Sequence, residues 1–439
     1  MKRYKGLLAL LALFFALPCA AEEFYTKMPP LLCFEQETVS KNLPGDTTVR
    51  VTYPDTANDA ADEALRAVID GLAAQGEDDL CAGAELEVGA LISRSGESTL
   101  SFLVLAETTK DRELLAASYD ALVYDMETGE KVTLGDLFED DAAYALLADE
   151  ARAALDAAFP AYAADEKALG ALCSVDAIRE AKFTLGAARM TLTFRADALY
   201  PGRNTLLHVN VAYSKLRPYM SDYGLAATDN SRFRMIALTY DDGPNRGATR
   251  GVLDVLRRYG AQATFFVVGD RFDKNHDMLA REQNGNYSIQ SHTFSHKYPD
   301  DLGKDEAMRD KVRMEETLGE LIGVVPTMMR APGGHAAYYA IKEIDYPLIQ
   351  WNLASGDSGN PHVKKIAQKV IDGASDGDIA LMHDLNGGSP TYSDTAIKTL
   401  TDKGYLFVTV QELFDDAEIE LRKNVAYKNP DVIEYEKQP

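Results

Sequence analysis

The hydrophobic pattern of the first half of the chain switches repeatedly between the strand period and the helix period. Residues 48–53 alternate polar and apolar positions with a period of two, which predicts a strand. Residues 59–74 instead place small and aliphatic side chains four positions apart on one helical face. The same reasoning predicts a hairpin from 85–92 and 98–106, strands at 114–125, 183–194 and 206–213, and a helix at 140–159. This half is therefore expected to be α+β.

The second half has a different pattern, because short apolar runs alternate with helical segments. The apolar runs predict buried strands at 235–239, 263–268, 287–290, 324–329, 348–353, 378–382 and 406–410, with helices between them that include 305–321 and 363–371. Such alternation is typical of an α/β fold with a mostly parallel sheet. Polar residues collect just after the strands, where (β/α) barrels carry their active sites. Since about 185 residues are few for eight full repeats, we expect a distorted or incomplete (β/α) barrel.

The change of pattern near residue 225 divides the chain. We expect a signal peptide at 1–21, an α+β accessory domain at 22–225, a catalytic domain at 226–416 and a charged, frayed tail at 417–439. The length of 439 residues agrees with two domains, and 46% hydrophobic with 26% charged residues is typical of soluble globular proteins. The formal net charge of −24 argues against nucleic acid and anionic membranes as partners, because both attract clustered Lys and Arg.

The N-terminus has the pattern of a secretory signal. Three basic residues within the first five precede an apolar run at 7–17, and small residues follow Pro18. The run is too short for a transmembrane helix, which needs about 20 residues, and no later stretch is long and apolar enough. We therefore expect a secreted, extracytoplasmic protein. Two alternatives stay open: a buried helix of the mature fold, and a lipoprotein anchored through Cys19, which the preceding Pro18 disfavours.

Five short segments of the second half carry candidate chemistry. Asp241 and Asp242 follow a predicted strand, so one carboxylate could bind a metal while the other acts as a base; an ordinary Asp-Gly turn is the alternative. His292 and His296 are four positions apart, which on a helical turn would direct both rings toward one metal. The other three segments, each more often structural than catalytic when taken alone, are Arg330–Gly334, Asp357 after the single Trp351, and Leu381–His383.

The remaining reactive side chains are not expected to join a site. Cys33, Cys81 and Cys173 could form one disulfide outside the cell, but the sequence does not determine the pair, and their spacing matches no zinc motif. Asp384 is expected to be a supporting or structural residue. The other histidines are expected to be structural or loop residues: His208, His276, His335 and His362.

Together the five segments resemble the motifs of the polysaccharide deacetylase family, also called the NodB-homology or carbohydrate-esterase-4 domain. The family motif Thr-Phe-Asp-Asp-Gly is similar to residues 239–243, and its His-Ser/Thr-x-x-His motif to residues 292–296. Its Arg-x-Pro-x-Gly and Leu-x-His motifs are similar to residues 330–334 and 381–383. In its Asp-x-x-Asp-Trp motif only the second Asp is matched.

That fourth motif departs from the family pattern. Asp357 stands at the second Asp, whereas Ala354 and Ser358 replace the first Asp and the Trp. Loss of the Trp removes a large apolar face from one wall of the groove, so we expect an open groove and a bulky peptidoglycan sugar rather than plain chitin. Tyr392 or Phe294 are candidates to fill the gap.

The resemblance implies a role for each motif residue. The metal ligands would be Asp242, His292 and His296, with Zn²⁺ as the metal and Co²⁺ or Mn²⁺ as alternatives. Asp241, oriented by Arg330, would accept the proton of the attacking water, and His383, oriented by Asp357, would protonate the leaving amine. A backbone N–H near Gly333 would help to stabilise the oxyanion. The implied substrate contacts are Tyr240, Pro332, Gly333, Gly334, Trp351 and Leu381.

The first half resembles a small extracytoplasmic domain of lysozyme-sensing anti-sigma factors that also precedes the catalytic unit of some peptidoglycan deacetylases. The resemblance rests on residues 124–138 and 200–216, and it implies binding to the wall or to a protein partner. The two resemblances together imply a secreted, wall-associated N-deacetylase of peptidoglycan. A chitooligosaccharide deacetylase, an acetylxylan esterase and a non-catalytic wall- or lysozyme-binding protein are the alternatives. Because the first half lacks an acid, base and metal set, we expect residues 226–416 to fold and act alone.

Overall fold

The computed structural model describes residues 35–56, 59–95, 99–298, 301–334 and 344–436. The predicted signal peptide, Cys19, Cys33 and His335 lie outside these residues. Within the described ranges, no helix combines the length and the apolar character that crossing a membrane requires. Cys81 and Cys173 both carry free thiols.

A five-stranded sheet and one helix form the first part of the chain. The elements are β1 (Glu35–Leu43), β2 (Thr47–Asp55), α1 (Asp59–Asp78), β3 (Glu85–Ser95), β4 (Thr99–Lys110) and β5 (Glu113–Asp125). The strands lie in chain order, and β2 and β3 are parallel because α1 connects them. Alternate residues of β2 are buried in the core that α1 shares with the sheet, as the period of two predicts. The predicted strand, helix and hairpin of this region are confirmed.

A helical layer with a small antiparallel sheet follows. It contains α2 (Leu134–Leu137), α3 (Ala142–Ala157), α4 (Glu166–Leu172), α5 (Val175–Arg179), β6 (Phe183–Leu185), β7 (Arg189–Arg195), β8 (Leu206–Ala212), α6 (Tyr213–Leu216) and α7 (Asp222–Ala227). The Ala-rich face of α3 is buried in one core with the three strands, which confirms the helix predicted there. The single strand predicted at 183–194 is instead the hairpin of β6 and β7. The domain boundary predicted at 225–226 falls inside α7.

The second half builds a parallel sheet, as its strand–helix alternation predicts. Within the described residues, its six strands are β9 (Arg234–Asp241), β10 (Thr264–Val267), β11 (Ser288–Ser291), β13 (Leu353–Ala354), β14 (Asp378–His383) and β15 (Tyr405–Val408). The short strand β12 (Leu348–Ile349) neighbours this sheet. The order is β11-β10-β9-β14-β13, β15 also pairs with β9, and all these pairs are parallel. The helices are α8 (Arg246–Tyr259), α9 (His276–Asn284), α10 (Lys304–Ile322), α11 (Val363–Gly373), α12 (Ser389–Asp402) and α13 (Val410–Asp416). The carboxyl ends of the strands therefore meet at one edge.

The architecture of this half is mixed α/β, and the described strands form no closed barrel. Where a strand was predicted at 324–329, Met329 alone bridges β11 to β12. The strand predicted at 348–353 divides into β12 and β13. It divides because its backbone changes partner. The N–H of Gln350 donates to the carbonyl oxygen of Tyr427 in β16 (Val425–Asn429), whereas the N–H of Asn352 donates to that of Ile379 in β14.

The prediction of a frayed tail at 417–439 is wrong for residues 425–436. β16 (Val425–Asn429) and β17 (Val432–Glu436) form an antiparallel hairpin, and β16 pairs in parallel with β12. Ala426 and Tyr427 are buried, and the ring of Tyr427 packs edge-on against Phe414. Burial of these apolar side chains favours the hairpin, while Lys423 and Asp431 beside it stay exposed.

The two halves of the chain share a buried apolar interface. Leu91, Leu103 and Leu105 of the first sheet belong to the same apolar core as α8 and β9. A charge network crosses the interface beside them, in which arginines of α8 and α9 pair with glutamates of β3 and β4: Arg250 with Glu85 and Glu87, Arg281 with Glu87 and Glu107, and Arg257 with Glu107. Burial acts to raise the pKa of Glu87, but the arginines outweigh it and lower the pKa to about 2. This interface argues against independent folding of residues 226–416.

Candidate active site

Three side chains at the carboxyl edge of the parallel sheet could hold one metal ion. Asp242 follows β9, and His292 and His296 follow β11. The Asp242 Oδ1 atom lies 2.8 Å from Nε2 of His296 and 3.4 Å from Nε2 of His292. The ligand atoms of the three side chains all lie within 4.8 Å of one another, so one cation could contact all of them. Within the described residues this is the one group of His, Cys, Asp or Glu whose ligand atoms lie that close together.

The two histidines converge without the helical turn that the sequence suggested. The segment from 292 to 296 is a loop, in which Thr293 and His296 have left-handed backbone angles of φ 66° and 54°. The Nδ1 atom of His292 lies 2.8 Å from the carbonyl oxygen of Arg330, so that Nδ1–H donates there and Nε2 stays free as a ligand. Burial alone would raise the pKa of Asp242, but hydrogen bonds and charge from the two histidines hold it well below its ordinary value.

Asp241 lies beside the metal ligands in a buried pair with Arg330. Nη1 of Arg330 donates to Oδ1 of Asp241 at 2.8 Å and to the hydroxyl of Thr239 at 2.6 Å. The other guanidinium nitrogens donate to the carbonyl oxygens of Ile349 and Gln350. Arg330 is fully buried and Asp241 is 3% exposed. The second oxygen of Asp241 points toward the metal ligands, 3.8 Å from Nε2 of His292.

A second pair, His383 with Asp357, lies on the neighbouring strand. His383 ends β14 and pairs in register with Asp241 of β9, so the two side chains stand at the same edge. Its Nδ1 lies 2.8 Å from Oδ1 of Asp357. Asp357 also accepts hydrogen bonds from the hydroxyls of Ser355, at 2.9 Å, and Tyr392, at 2.5 Å. Burial alone would lower the pKa of His383, but the Asp357 hydrogen bond and charge raise it to about 9, with help from Asp241 and Asp242.

The comparisons with known proteins agree with this geometry. The polysaccharide deacetylase family profile matches residues 228–346. A peptidoglycan-N-acetylglucosamine deacetylase of Bacillus cereus is 35% identical over 41% of this chain and 88% of its own length. The chain belongs to the polysaccharide deacetylase family. The peptidoglycan-N-acetylglucosamine deacetylase PgdA of Listeria monocytogenes is 34% identical over 42% of this chain, which spans only 39% of that relative.

Another member of the family is the peptidoglycan-N-acetylmuramic acid deacetylase PdaC of Bacillus subtilis. It is 33% identical over 41% of this chain and 38% of its own length. The solved structure of PdaC covers 43% of this chain and 94% of the solved chain, with 31% identity and a TM-score of 0.42. The chain thus spans about two fifths of the length of PgdA and PdaC.

The family's substrate-contact positions are only partly accessible in this chain. Tyr240 is fully buried, and its hydroxyl lies 2.9 Å from that of Ser393, so the predicted substrate contact through this side chain is wrong. Pro332 is also buried. Gly333 is exposed, and the half-buried positions are Gly334, Trp351 and Leu381. These four stay predictions.

The degraded fourth motif is exposed at the surface at the position of the family Trp. Ser358, at the position of the family Trp, is exposed. The two candidate replacements do not reach the groove, because Tyr392 and Phe294 are buried, at 0% and 5% exposure. Tyr392 instead binds Asp357. The sequence missed this role because the two residues are 35 positions apart.

Other titratable residues of the family domain lie apart from the open edge. Asp384 is fully buried behind Gly243 and accepts a hydrogen bond from Thr249, and burial raises its pKa to about 7. His276 pairs with Glu113, and His362 is exposed. His208, in the first half, lies 3.0 Å from the hydroxyl of Thr193, and burial lowers its pKa to about 4.

Proposed function

We propose that the protein is a metal-dependent N-deacetylase that acts on the amino sugars of peptidoglycan outside the cytoplasm. The observation that carries the proposal is the meeting of a metal-ligand set, the Asp241–Arg330 pair and the His383–Asp357 pair at one edge of the sheet. The names of the relatives support the substrate class, and they include both N-acetylglucosamine and N-acetylmuramic acid deacetylases. An incomplete (β/α) barrel is the fold we infer for this half.

The residues present fit a divalent cation. Asp242, His292 and His296 would hold it, and two imidazoles with one carboxylate suit Zn²⁺ best, with Co²⁺ and Mn²⁺ as alternatives. Such an ion supplies Lewis-acid activation of water and of the acetyl carbonyl. Asp242 is suited to ligation because its carboxylate is held ionised. The donation of His292 Nδ1–H to a carbonyl oxygen fixes the ring orientation that ligation needs.

Asp241 is the base in this mechanism. Arg330 binds one carboxylate oxygen and holds the side chain in place. The other oxygen faces the ligand set and can accept the proton that the attacking water loses. Because the pair is buried, bulk water does not compete for hydrogen bonds to that oxygen.

His383 is the general acid. With a pKa of about 9 its imidazole is protonated at neutral pH. Nδ1 is tied to Asp357, so Nε2–H is the proton available to the leaving nitrogen. The exposed backbone at Gly333 would donate to the oxyanion. The products are acetate and a wall sugar with a free amine.

Acetate release from purified peptidoglycan tests the proposal. Chelator should abolish release, and Zn²⁺ or Co²⁺ should restore it. Asp241→Asn should keep the metal but lose about 10²–10⁴-fold in turnover, because an amide cannot accept the proton. Asp394→Asn, on the surface of α12 beside Arg258, is the matched control. Full activity of the metal-free protein, or Asp241→Asn within tenfold of the parent, would contradict the mechanism.

Mass spectrometry of digested wall then identifies the sugar that has lost its acetyl group.

The first half stays a candidate wall- or protein-binding domain. A pull-down with insoluble wall measures how much of the protein's binding to the wall depends on this half. Release of acetate from acetylxylan or from chitin oligomers in preference to peptidoglycan would overturn the substrate assignment.

A further inference from the structure

The loop that carries the two metal-binding histidines needs a support that its own backbone does not provide. It makes no helical hydrogen bonds, and two of its five residues, Thr293 and His296, adopt left-handed angles that non-glycine residues rarely take. The hydroxyl of Thr293 is buried and has no hydrogen-bond partner, so this side chain does not brace the loop. Something outside the loop must therefore hold its shape.

Part of that support comes from the N–H groups of Gly269 and Asp270, which donate to the carbonyl oxygens of Thr293 and Phe294. The N–H groups of Phe294 and Ser295 are held by a single carboxylate on α10. Oδ1 of Asp310 accepts the backbone N–H of Phe294 at 2.6 Å. Oδ2 accepts the N–H of Ser295 at 3.0 Å and the Ser295 hydroxyl at 2.5 Å. Three hydrogen bonds thus end on one side chain, and both anchored residues lie between His292 and His296. Hydrogen bonds to a charged acceptor are about twice as strong as neutral ones.

Packing holds the same loop from the other side. Phe294 is 5% exposed, and its ring meets Phe272 edge-on with 6.1 Å between the centroids. A Cβ at Gly269 would lie 2.2 Å from that ring, so the glycine is what lets Phe294 enter. The guanidinium of Arg313, one turn after Asp310 on α10, lies 3.8 Å from the centre of the Phe294 ring. The loop is clamped between α10 and the segment after β10.

We propose that Asp310 is a positioning residue for the metal site, which holds the ligand loop in its binding shape before the metal arrives. The inference rests on the proposed function, because it assumes that His292 and His296 bind a cation. Without Asp310, the N–H groups of Phe294 and Ser295 lose their partner, and metal binding would itself have to order this part of the loop, so part of the binding free energy would be lost. Supporting partners of metal ligands typically contribute about 10–100-fold to metal affinity.

The test measures metal binding rather than turnover. The full chain is stripped of metal, and its Zn²⁺ dissociation constant is determined by competition with a chromogenic chelator. We expect Asp310→Asn and Asp310→Ala to bind Zn²⁺ about 10–100-fold more weakly than the parent. Glu306→Gln is the matched control: it removes a carboxylate from the same helix, where the exposed partner is Lys297, and should stay within about twofold because exposed ion pairs contribute little.

A milder variant keeps the test decisive if Asp310→Ala does not fold. Ser295→Ala removes one of the three hydrogen bonds and should weaken Zn²⁺ binding by less than Asp310→Asn does. In the double variant the two losses should be less than additive, because both act through the same contact. If the parent binds Zn²⁺ and the Asp310 variants bind it equally well, the positioning role is wrong. If the parent binds no metal, the proposed function itself fails.

Discussion

The Asp357→Asn substitution tests how the structure sets the protonation of His383. Asp357 provides the hydrogen bond and the nearest opposite charge that raise the pKa of His383 to about 9. In the variant, burial remains and the charge is gone, so the pKa should fall to about 6.5 or below. At pH 7.5 a group with pKa 9 is about 97% protonated, whereas one with pKa 6.5 is about 9% protonated. General acid catalysis should therefore drop at least tenfold at this pH.

The sign of the effect follows from which form is active. The protonated imidazole donates the proton, so activity is present below the pKa of His383 and is lost as pH rises through it. The assay is the pH profile of kcat/KM for acetate release, which reports groups of the free enzyme. The alkaline limb should lie near pH 9 in the parent and at least about two pH units lower in Asp357→Asn.

A matched control separates this pairing from a general loss of negative charge. Asp394→Asn also removes a carboxylate from the catalytic half, but its contacts are Arg258 and Tyr259. Its alkaline limb should coincide with that of the parent. An Asp357→Asn profile with an unchanged alkaline limb would refute the reasoning, even if the variant were slower at every pH.

Three further perturbations test other contacts. Tyr392→Phe should lower the free energy of unfolding in urea by about 2 kcal/mol, since it removes a buried hydrogen bond to a charged group, whereas Tyr405→Phe, with a neutral acceptor, should cost about 1 kcal/mol. Arg330→Met should cost about 3–5 kcal/mol, because Asp241 stays buried without its partner, and adding Asp241→Asn should recover part of that loss; a cost below about 1 kcal/mol would contradict it. A chain that begins at Ala226 should be insoluble or unfold at a lower temperature, because three arginines and an apolar face lose their partners; a stable, active fragment would show the interface to be dispensable.

Local patterns in the sequence were enough to find the parallel sheet and the candidate chemistry. The strand and helix periods of the second half report burial directly, because each period matches the geometry of one element. The metal-ligand set was also visible, since Asp242, His292 and His296 each lie in a short motif just after a strand. In a parallel sheet such positions come together at one edge whatever the details of packing.

The local patterns misjudged features that depend on distant partners. The segment from His292 to His296 has helical spacing, yet it is a loop, and its backbone groups bond to Asp310, Gly269 and Asp270 instead of to one another. Tyr240 and Tyr392 look like groove residues in the sequence, but the tertiary fold buries both. The hydrophobic period around these residues indicates neither the loop conformation at 292–296 nor the burial of the two tyrosines.

The division of the chain shows the same limit on a larger scale. The sequence determined two halves with different patterns, because each half has its own succession of strand and helix periods. Only the tertiary structure decided that the halves share a core and that Glu87 and Glu107 neutralise the arginines of α8 and α9. It also decided that β16, in the predicted tail, pairs with β12, whose paired residues lie 78 positions earlier in the chain. Pairing energy between distant segments depends on which surfaces meet, and local periodicity carries no information about that.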